Sequence, residues 1–171
     1  MKKHRIMIVD DEESIRNSIV RALRKEDYEL IAVSSGKEAL ELLEEKEKEI
    51  DLIMSDHLMP EMTGLEFLKK AKEKYPDILR IILTGHADVE TIISSINEGE
   101  IYRFLTKPWN DEDLKITIRL SLAHLDLIRE NKELHSVVKE QMDYIKILEK
   151  KHPGITTIER DESGAIIIPD E

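Results

Sequence analysis

Leu52-Ile53-Met54-Ser55-Asp56 is a short apolar run that closes on a carboxylate. Three other runs are built the same way. Ile6-Met7-Ile8-Val9 leads into Asp10-Asp11, Ile81-Ile82-Leu83 into Thr84, and Phe104-Leu105-Thr106 into Lys107-Pro108. Apolar runs of this length between turn residues read as parallel strands buried on both faces. In an open α/β sheet, binding and reacting groups collect at the carboxyl ends of the strands. Three carboxylates, a hydroxyl and an ammonium are therefore expected at one edge of one sheet.

The segments between these runs carry helical periodicity. Strands are expected near 5–9, 29–33, 51–55, 79–84 and 102–106, and helices near 13–26, 36–48, 63–75 and 87–98. The first helix places Ile15, Ile19, Ala22 and Leu23 at helical spacing, with Asp11 or Ser14 as its cap. Thr63 stands three residues before Glu66, the spacing of a capping box, and Pro76 ends that helix. Strand–helix alternation of this kind predicts a parallel sheet with right-handed crossovers and helices on both faces.

Composition narrows the function classes. The chain has 171 residues, enough for one domain and an appendage, with 40% apolar and 37% charged residues. A formal net charge of −11 argues against a nucleic-acid partner. There is no cysteine, so disulfides, thiolate nucleophiles and cysteine zinc sites are excluded. The apolar run after the first residues is too short for a signal peptide, and no segment has the length to cross a bilayer. Cytoplasmic residence, with no membrane partner, is the expectation.

The expected edge has the parts of a phosphoryl-transfer site. Transfer to a carboxylate needs a nucleophile, charge neutralisation and in-line positioning. Asp56 ends the central strand and is the candidate nucleophile. Asp10 and Asp11 end the neighbouring strand. Three clustered carboxylates repel one another, and a hard dication such as Mg²⁺ relieves this while keeping waters for a phosphate. Lys107 offers a point charge for phosphoryl oxygens, and Thr84 a hydroxyl donor.

With those residues in hand, the chain resembles the receiver domain of two-component response regulators. The matching elements are Asp10-Asp11, Asp56 followed by Met59-Pro60 and Gly64, Thr84-Gly85, and Lys107-Pro108, over roughly residues 4–122. The resemblance implies a flavodoxin-like α/β fold, a doubly wound five-stranded parallel sheet of order 2-1-3-4-5. It implies phosphorylation of Asp56 by a partner histidine kinase. It implies Mg²⁺ on Asp11, Asp56 and the backbone carbonyl of Leu58, with Asp10 acting through water. Thr84 and Lys107 would contact the phosphoryl group, and Phe104 would be the switch aromatic, with Tyr102 as an alternative on the same strand face. Leu58 and His86 hold the two positions that tune phosphoryl lifetime in such proteins. The chain is then a phosphoacceptor that assists its own phosphorylation and dephosphorylation, without a separate enzymatic activity. His4, His57, His124, His135 and His152 show no metal-ligand spacing and are read as surface or interface residues. Trp109 is read as an anchor for the last helix.

Beyond Pro108 the pattern changes. Residues 110–151 contain neither Gly nor Pro. Leu120, Leu127, Leu134, Gln141 and Leu148 recur every seven residues, interleaved with His124, Asn131, Val138 and Ile145. Leu at d with one Asn at a is the register of a parallel two-stranded coiled coil. Such a helix is roughly 60 Å long at 1.5 Å per residue, so part of it is expected to project from a small domain. Ile128, Val137, Met142 and Tyr144 widen the stripe at e and g. The expected organisation is a receiver over 1–122, a coiled-coil helix over 123–152 and a β-hairpin tail over 153–171. The expected role is a switch whose phosphorylation sets a homodimer or the binding of an unidentified downstream protein, with no separate DNA-binding or enzymatic output domain. Two other readings stay open. One is a Mg²⁺-dependent phosphatase or phosphotransferase working through an aspartyl-phosphate, although the adjacent Asp10-Asp11 differs from the Asp-x-Asp of haloacid-dehalogenase-like enzymes. The other is a receiver cut from a larger regulator.

Overall fold

The structure is a computed structural model that describes residues 3–46, 49–85, 92–94, 96 and 99–155. Five strands form one parallel sheet: β1 (His4–Val9), β2 (Tyr28–Val33), β3 (Leu52–Asp56), β4 (Leu79–Thr84) and β5 (Arg103–Thr106), in spatial order β2-β1-β3-β4-β5. The helices are α1 (Glu13–Leu23), α2 (Gly36–Lys46), α3 (Gly64–Lys74) and α4 (Asp111–Lys151), and residues 92–94 and 96 are also helical. The expected strands lie within one residue of these bounds; the sheet is parallel, as the residue pattern predicts, and has the flavodoxin-like order that the receiver resemblance implies.

The two-fold alternation of a strand explains the layering. Ile6 and Ile8 of β1, Leu52 and Met54 of β3 and Ile81 and Leu83 of β4 pack with Ile19 and Leu23 of α1 and with Leu114, Ile118, Leu122 and Leu125 of α4. The alternate residues Met7, Val9, Ile53 and Ile82 pack with Ala39, Leu43, Phe67, Leu68 and Ile92 on the other face. Strands covered on both sides have no polar face to show, hence their continuous apolar runs. Each fully buried side chain of this size contributes about 1.5–3 kcal/mol.

Register then places the chemistry. Val9 pairs with Ser55 and Asp56 with Leu83. Thr84 pairs with Thr106. Asp10, Asp56, Thr84 and Lys107 therefore leave neighbouring strands at the same edge.

The capping box on α3 is present: Thr63 Oγ1 accepts from the Glu66 amide at 3.2 Å, and Glu66 accepts from the Thr63 amide at 2.9 Å. The cap of α1 differs from expectation. Glu12 occupies the N-cap position and makes no side-chain cap bond, so neither Asp11 nor Ser14 caps the helix. The Glu12 amide instead donates to Asp10 Oδ1 at 2.8 Å, which commits the turn to the acidic edge rather than to the helix end.

The chain divides into two compact units, Met1–Asp126 and Leu127–Glu171. In the first, α4 buries Leu114, Ile118, Ser121, Leu122 and Leu125. In the second, the described part of α4 leaves Leu127, Leu134, Val138, Met142 and Ile145 exposed. Among the described residues no helix is long and apolar enough to cross a membrane. Of the hairpin tail expected over 153–171, residues 153–155 form a turn and 156–171 lie outside the described residues, as do His86 and much of the helix expected at 87–98.

Candidate functional site

Asp10 follows β1 directly and has no exposed surface. Its Oδ1 accepts from the Glu12 amide and its Oδ2 from the Lys107 ammonium at 3.1 Å. Asp11, next along the turn, is exposed. Asp56 closes β3 and is buried. Carboxylate oxygens of Asp10, Asp11 and Asp56 lie within 4.8 Å of one another. Lys107 Nζ also lies 2.6 Å from Asp56 Oδ1, so a single ammonium serves two of the three carboxylates.

The electrostatics follow from this crowding. Burial pushes the Asp10 carboxyl above its ordinary value, against the pull of the Glu12 amide and the Lys107 ammonium, and Asp56 adds to the push. Burial draws the Lys107 ammonium down, but Asp56 and Asp10 outweigh it and hold it above its usual value. A dication suits such a site, because the donors are hard, anionic oxygens and one ammonium leaves charge unmatched.

Loop geometry keeps Asp56 at the edge. The His57 amide donates to Leu83 O at 2.9 Å, and the Gly64 amide donates to His57 O at 2.8 Å. A Cβ on Gly64 would fall 1.9 Å from the Asp56 carbonyl oxygen. Only glycine lets α3 begin this close to the strand end. Leu58 is 64% exposed beside the acceptor and offers no side-chain hydrogen bond.

Thr84 is buried, and its hydroxyl donates to Gly85 O at 3.2 Å. The Lys107 amide donates to Thr84 O at 2.8 Å, tying the hydroxyl and the ammonium through one backbone bond. Phe104 packs against the core on the α2 and α3 side and borders a cleft of about 350 Å³ with Ile96, Tyr102, Arg103 and Thr117. Tyr102 does not share that core face. It precedes β5, packs toward the α1 and α4 side, and stacks on His124 with ring centroids 5.3 Å apart. Strand alternation does not extend to a residue outside the strand. Trp109 packs at the start of α4 on the same side as Tyr102.

Two residues escape the sequence reading. His57, read as a surface or interface residue, is buried, and among the described residues its Nδ1 has no hydrogen-bond partner. Its burial follows from the two backbone bonds to Leu83 and Gly64, which no local pattern reveals. Arg16 is the other: its guanidinium donates to the carbonyl oxygens of Asp10 at 2.6 Å and of Asp11 at 3.2 Å. The signal was an arginine one turn into a helix that follows an acidic pair.

Comparison with known proteins agrees with this geometry. The family model of the response regulator receiver domain matches residues 6–119. The hydrogenase transcriptional regulatory protein HoxA of Cupriavidus necator is 38% identical over 118 residues, 69% of this chain and 24% of that protein. A putative NtrX-like response regulator of Rickettsia bellii is 33% identical over 142 residues, 82% of this chain and 29% of that protein. This chain thus spans under a third of the length of these curated relatives. The crystal structure of a response regulator receiver domain protein from Clostridium thermocellum aligns with a TM-score of 0.69 at 32% identity, covering 73% of this chain and 98% of that one. With its sheet order, its acidic edge and a family match over residues 6–119, the chain belongs to the response regulator receiver domain family of two-component signalling.

Proposed function

We propose that the chain is a signalling phosphoacceptor in which Asp56 takes a phosphoryl group from the phosphohistidine of a partner histidine kinase. The observation that carries this reading is the convergence of three carboxylates within 4.8 Å beside one ammonium at a strand-end edge. An Asp56 carboxylate oxygen attacks the phosphorus. The P–N bond of the phosphohistidine breaks, and the imidazole leaves with the electron pair and takes up a proton. Asp11, Asp56 and the Leu58 carbonyl would hold Mg²⁺, with Asp10 acting through water. When bound, the ion neutralises charge on the phosphoryl oxygens. Lys107 contacts one phosphoryl oxygen. The Thr84 hydroxyl turns from Gly85 O to another, and Phe104 moves into the space this opens.

The chain receives the group and does not turn over a free substrate. With leucine at 58, no side-chain hydrogen bond there orients an attacking water, so the acyl phosphate is long-lived. Leu58→Asn shortens its half-life, and a wild-type half-life of seconds overturns this point.

The signal is read through the second unit. Leu127, Leu134, Val138 and Ile145 form an apolar stripe at coiled-coil spacing that a second copy in parallel would cover. The lengths of the relatives favour a second reading, in which this receiver drives an output module of a larger regulator.

The test is incubation with acetyl phosphate and Mg²⁺, followed by intact mass and light scattering. Wild type gains one phosphoryl group and Asp56→Ala gains none. Wild type has the mass of a dimer, and Leu134→Lys that of a monomer. Labelling that survives Asp56→Ala overturns the acceptor assignment, and turnover of a phosphate ester lost in that variant supports an enzyme. A monomer with and without phosphorylation overturns the dimer.

A further inference from the structure

We infer that Arg16 is a positioning residue for the divalent cation: it holds the β1–α1 turn so that Asp10 and Asp11 present their carboxylates together before the ion arrives. This rests on the reading that the acidic edge binds Mg²⁺. One guanidinium nitrogen of Arg16 donates to the carbonyl oxygen of Asp10 at 2.6 Å and to that of Asp11 at 3.2 Å. These are the backbones of two of the three crowded carboxylates. The Arg16 amide in turn accepts its place in α1 by donating to Glu12 O at 3.1 Å, and the Glu12 amide donates to Asp10 Oδ1 at 2.8 Å. The turn is thus closed from both sides by one residue of the following helix.

The need for such a brace follows from charge. Adjacent carboxylates without a cation repel, and a free turn relaxes by swinging the exposed Asp11 away. Binding would then include the cost of ordering the turn, which a braced turn has already met. Arginine suits the task because that one nitrogen carries two N–H donors fixed in the guanidinium plane, one for each carbonyl, whereas lysine offers a point charge on a flexible stem.

A fixed positive charge near a cation site also opposes the cation. Two features offset this. The guanidinium is turned to backbone carbonyls, and its charge is partly answered by Glu38. The Glu38 carboxyl is held below its usual range first by the Ser34 amide and hydroxyl and to a lesser degree by Arg16. If positioning governs, removing Arg16 weakens Mg²⁺ binding. If charge governs, removing it tightens binding. The two accounts differ in sign.

The experiment is calorimetric titration of Mg²⁺ into the full chain for wild type, Arg16→Lys, Arg16→Gln and Asp11→Asn, with thermal midpoints recorded without Mg²⁺. The expected result is a dissociation constant raised about tenfold in Arg16→Gln and about threefold in Arg16→Lys. The Mg²⁺ concentration for half-maximal acetyl-phosphate labelling shifts by a similar factor, and the rate at saturating Mg²⁺ falls less. Unchanged or tighter binding in both variants overturns the inference, as does a lowered thermal midpoint with an unchanged dissociation constant, which marks a purely structural role. Arg16→Lys is the variant that decides if Arg16→Gln fails to fold. A wild-type chain that shows no Mg²⁺ binding, or binding that survives Asp11→Asn, overturns the acidic-edge reading instead.

Discussion

The two ends of the sheet handle carboxylates in opposite ways. At the amino end they are spread apart around Arg5 and His4, each of which reaches two of them. Arg5 reaches Glu29 on one side and Glu49 on the other. The Arg5 amide donates to Asp51 at 2.9 Å, and His4 lies 3.4 Å from Asp51 and 3.2 Å from Asp126. Arg80, buried on β4, spends its donors on the carbonyls of Glu100 and Ile78. At the carboxyl end Asp10, Asp11 and Asp56 are crowded within 4.8 Å, and Lys107 serves two of them. The strands are the same and the packing beneath them is continuous, so the fold does not demand the crowding. Dispersed pairs belong to stability. Crowded like charges cost stability and make sense only where a cation and a phosphoryl group are to be received.

Removing the cation from each end tests this most severely. Lys107→Met leaves two buried carboxylates without their ammonium and is expected to cost about 2–3 kcal/mol, less than a fully buried pair because the edge is open. Millimolar Mg²⁺ should restore much of that loss, since a dication can take over the charge. Arg5→Met removes pairs that are largely solvated and should cost far less than Lys107→Met. Mg²⁺ should restore none of it. Urea denaturation with and without Mg²⁺ measures both, and equal Mg²⁺ responses at the two ends would break the comparison.

Truncating one carboxylate at each end should give effects of opposite sign. Asp51 is buried and accepts from Arg5, so Asp51→Ala orphans a donor and should cost about 1–3 kcal/mol. Asp11 is exposed in a cluster of like charge, so Asp11→Ala should raise stability without Mg²⁺ by about 0.5 kcal/mol. The same variant should lose Mg²⁺ stabilisation. A loss of stability in both proteins would mean that the carboxylate charge at the acidic edge is as well compensated as that at the amino end.

Much of this contrast was legible in the chain. Val9 and Asp10, or Ser55 and Asp56, tell by adjacency that an apolar strand ends in a carboxylate, and parallel topology does the rest. Thr63 and Glu66 declare their cap because both halves lie within one turn. What stayed hidden depends on partners far away in sequence. His57 is buried because its backbone bonds to Leu83 and Gly64. Tyr102 finds His124 rather than Phe104 because the strand begins one residue later than the alternation suggests. The empty cap of α1 had a tertiary cause as well, since Asp10 takes the Glu12 amide while its other oxygen meets Lys107.

The smallest effect is a pH dependence, and it separates crowding from local capping within one protein. Burial holds the Asp10 carboxyl above 3.8, so between that value and its raised one the folded chain keeps a proton that the unfolded chain has released. Its contribution to stability is therefore full below 3.8 and is lost as pH rises through the raised value. Glu66 behaves in the reverse sense. The Thr63 amide and then the Thr63 hydroxyl hold its carboxyl below 4.5, so its contribution is present above 4.5 and is lost as pH falls through the lowered value. Denaturation midpoints from about pH 3 to 7, without Mg²⁺, should show wild type losing ground to Asp10→Asn as pH rises and gaining ground on Glu66→Gln. Saturating Mg²⁺ should flatten or reverse only the first difference, because the ion takes the place of the proton at the acidic edge and has no such site at the α3 cap. If the Asp10→Asn difference were flat in pH, the carboxylates would be no more frustrated at this edge than the ones spread along the amino end of the sheet.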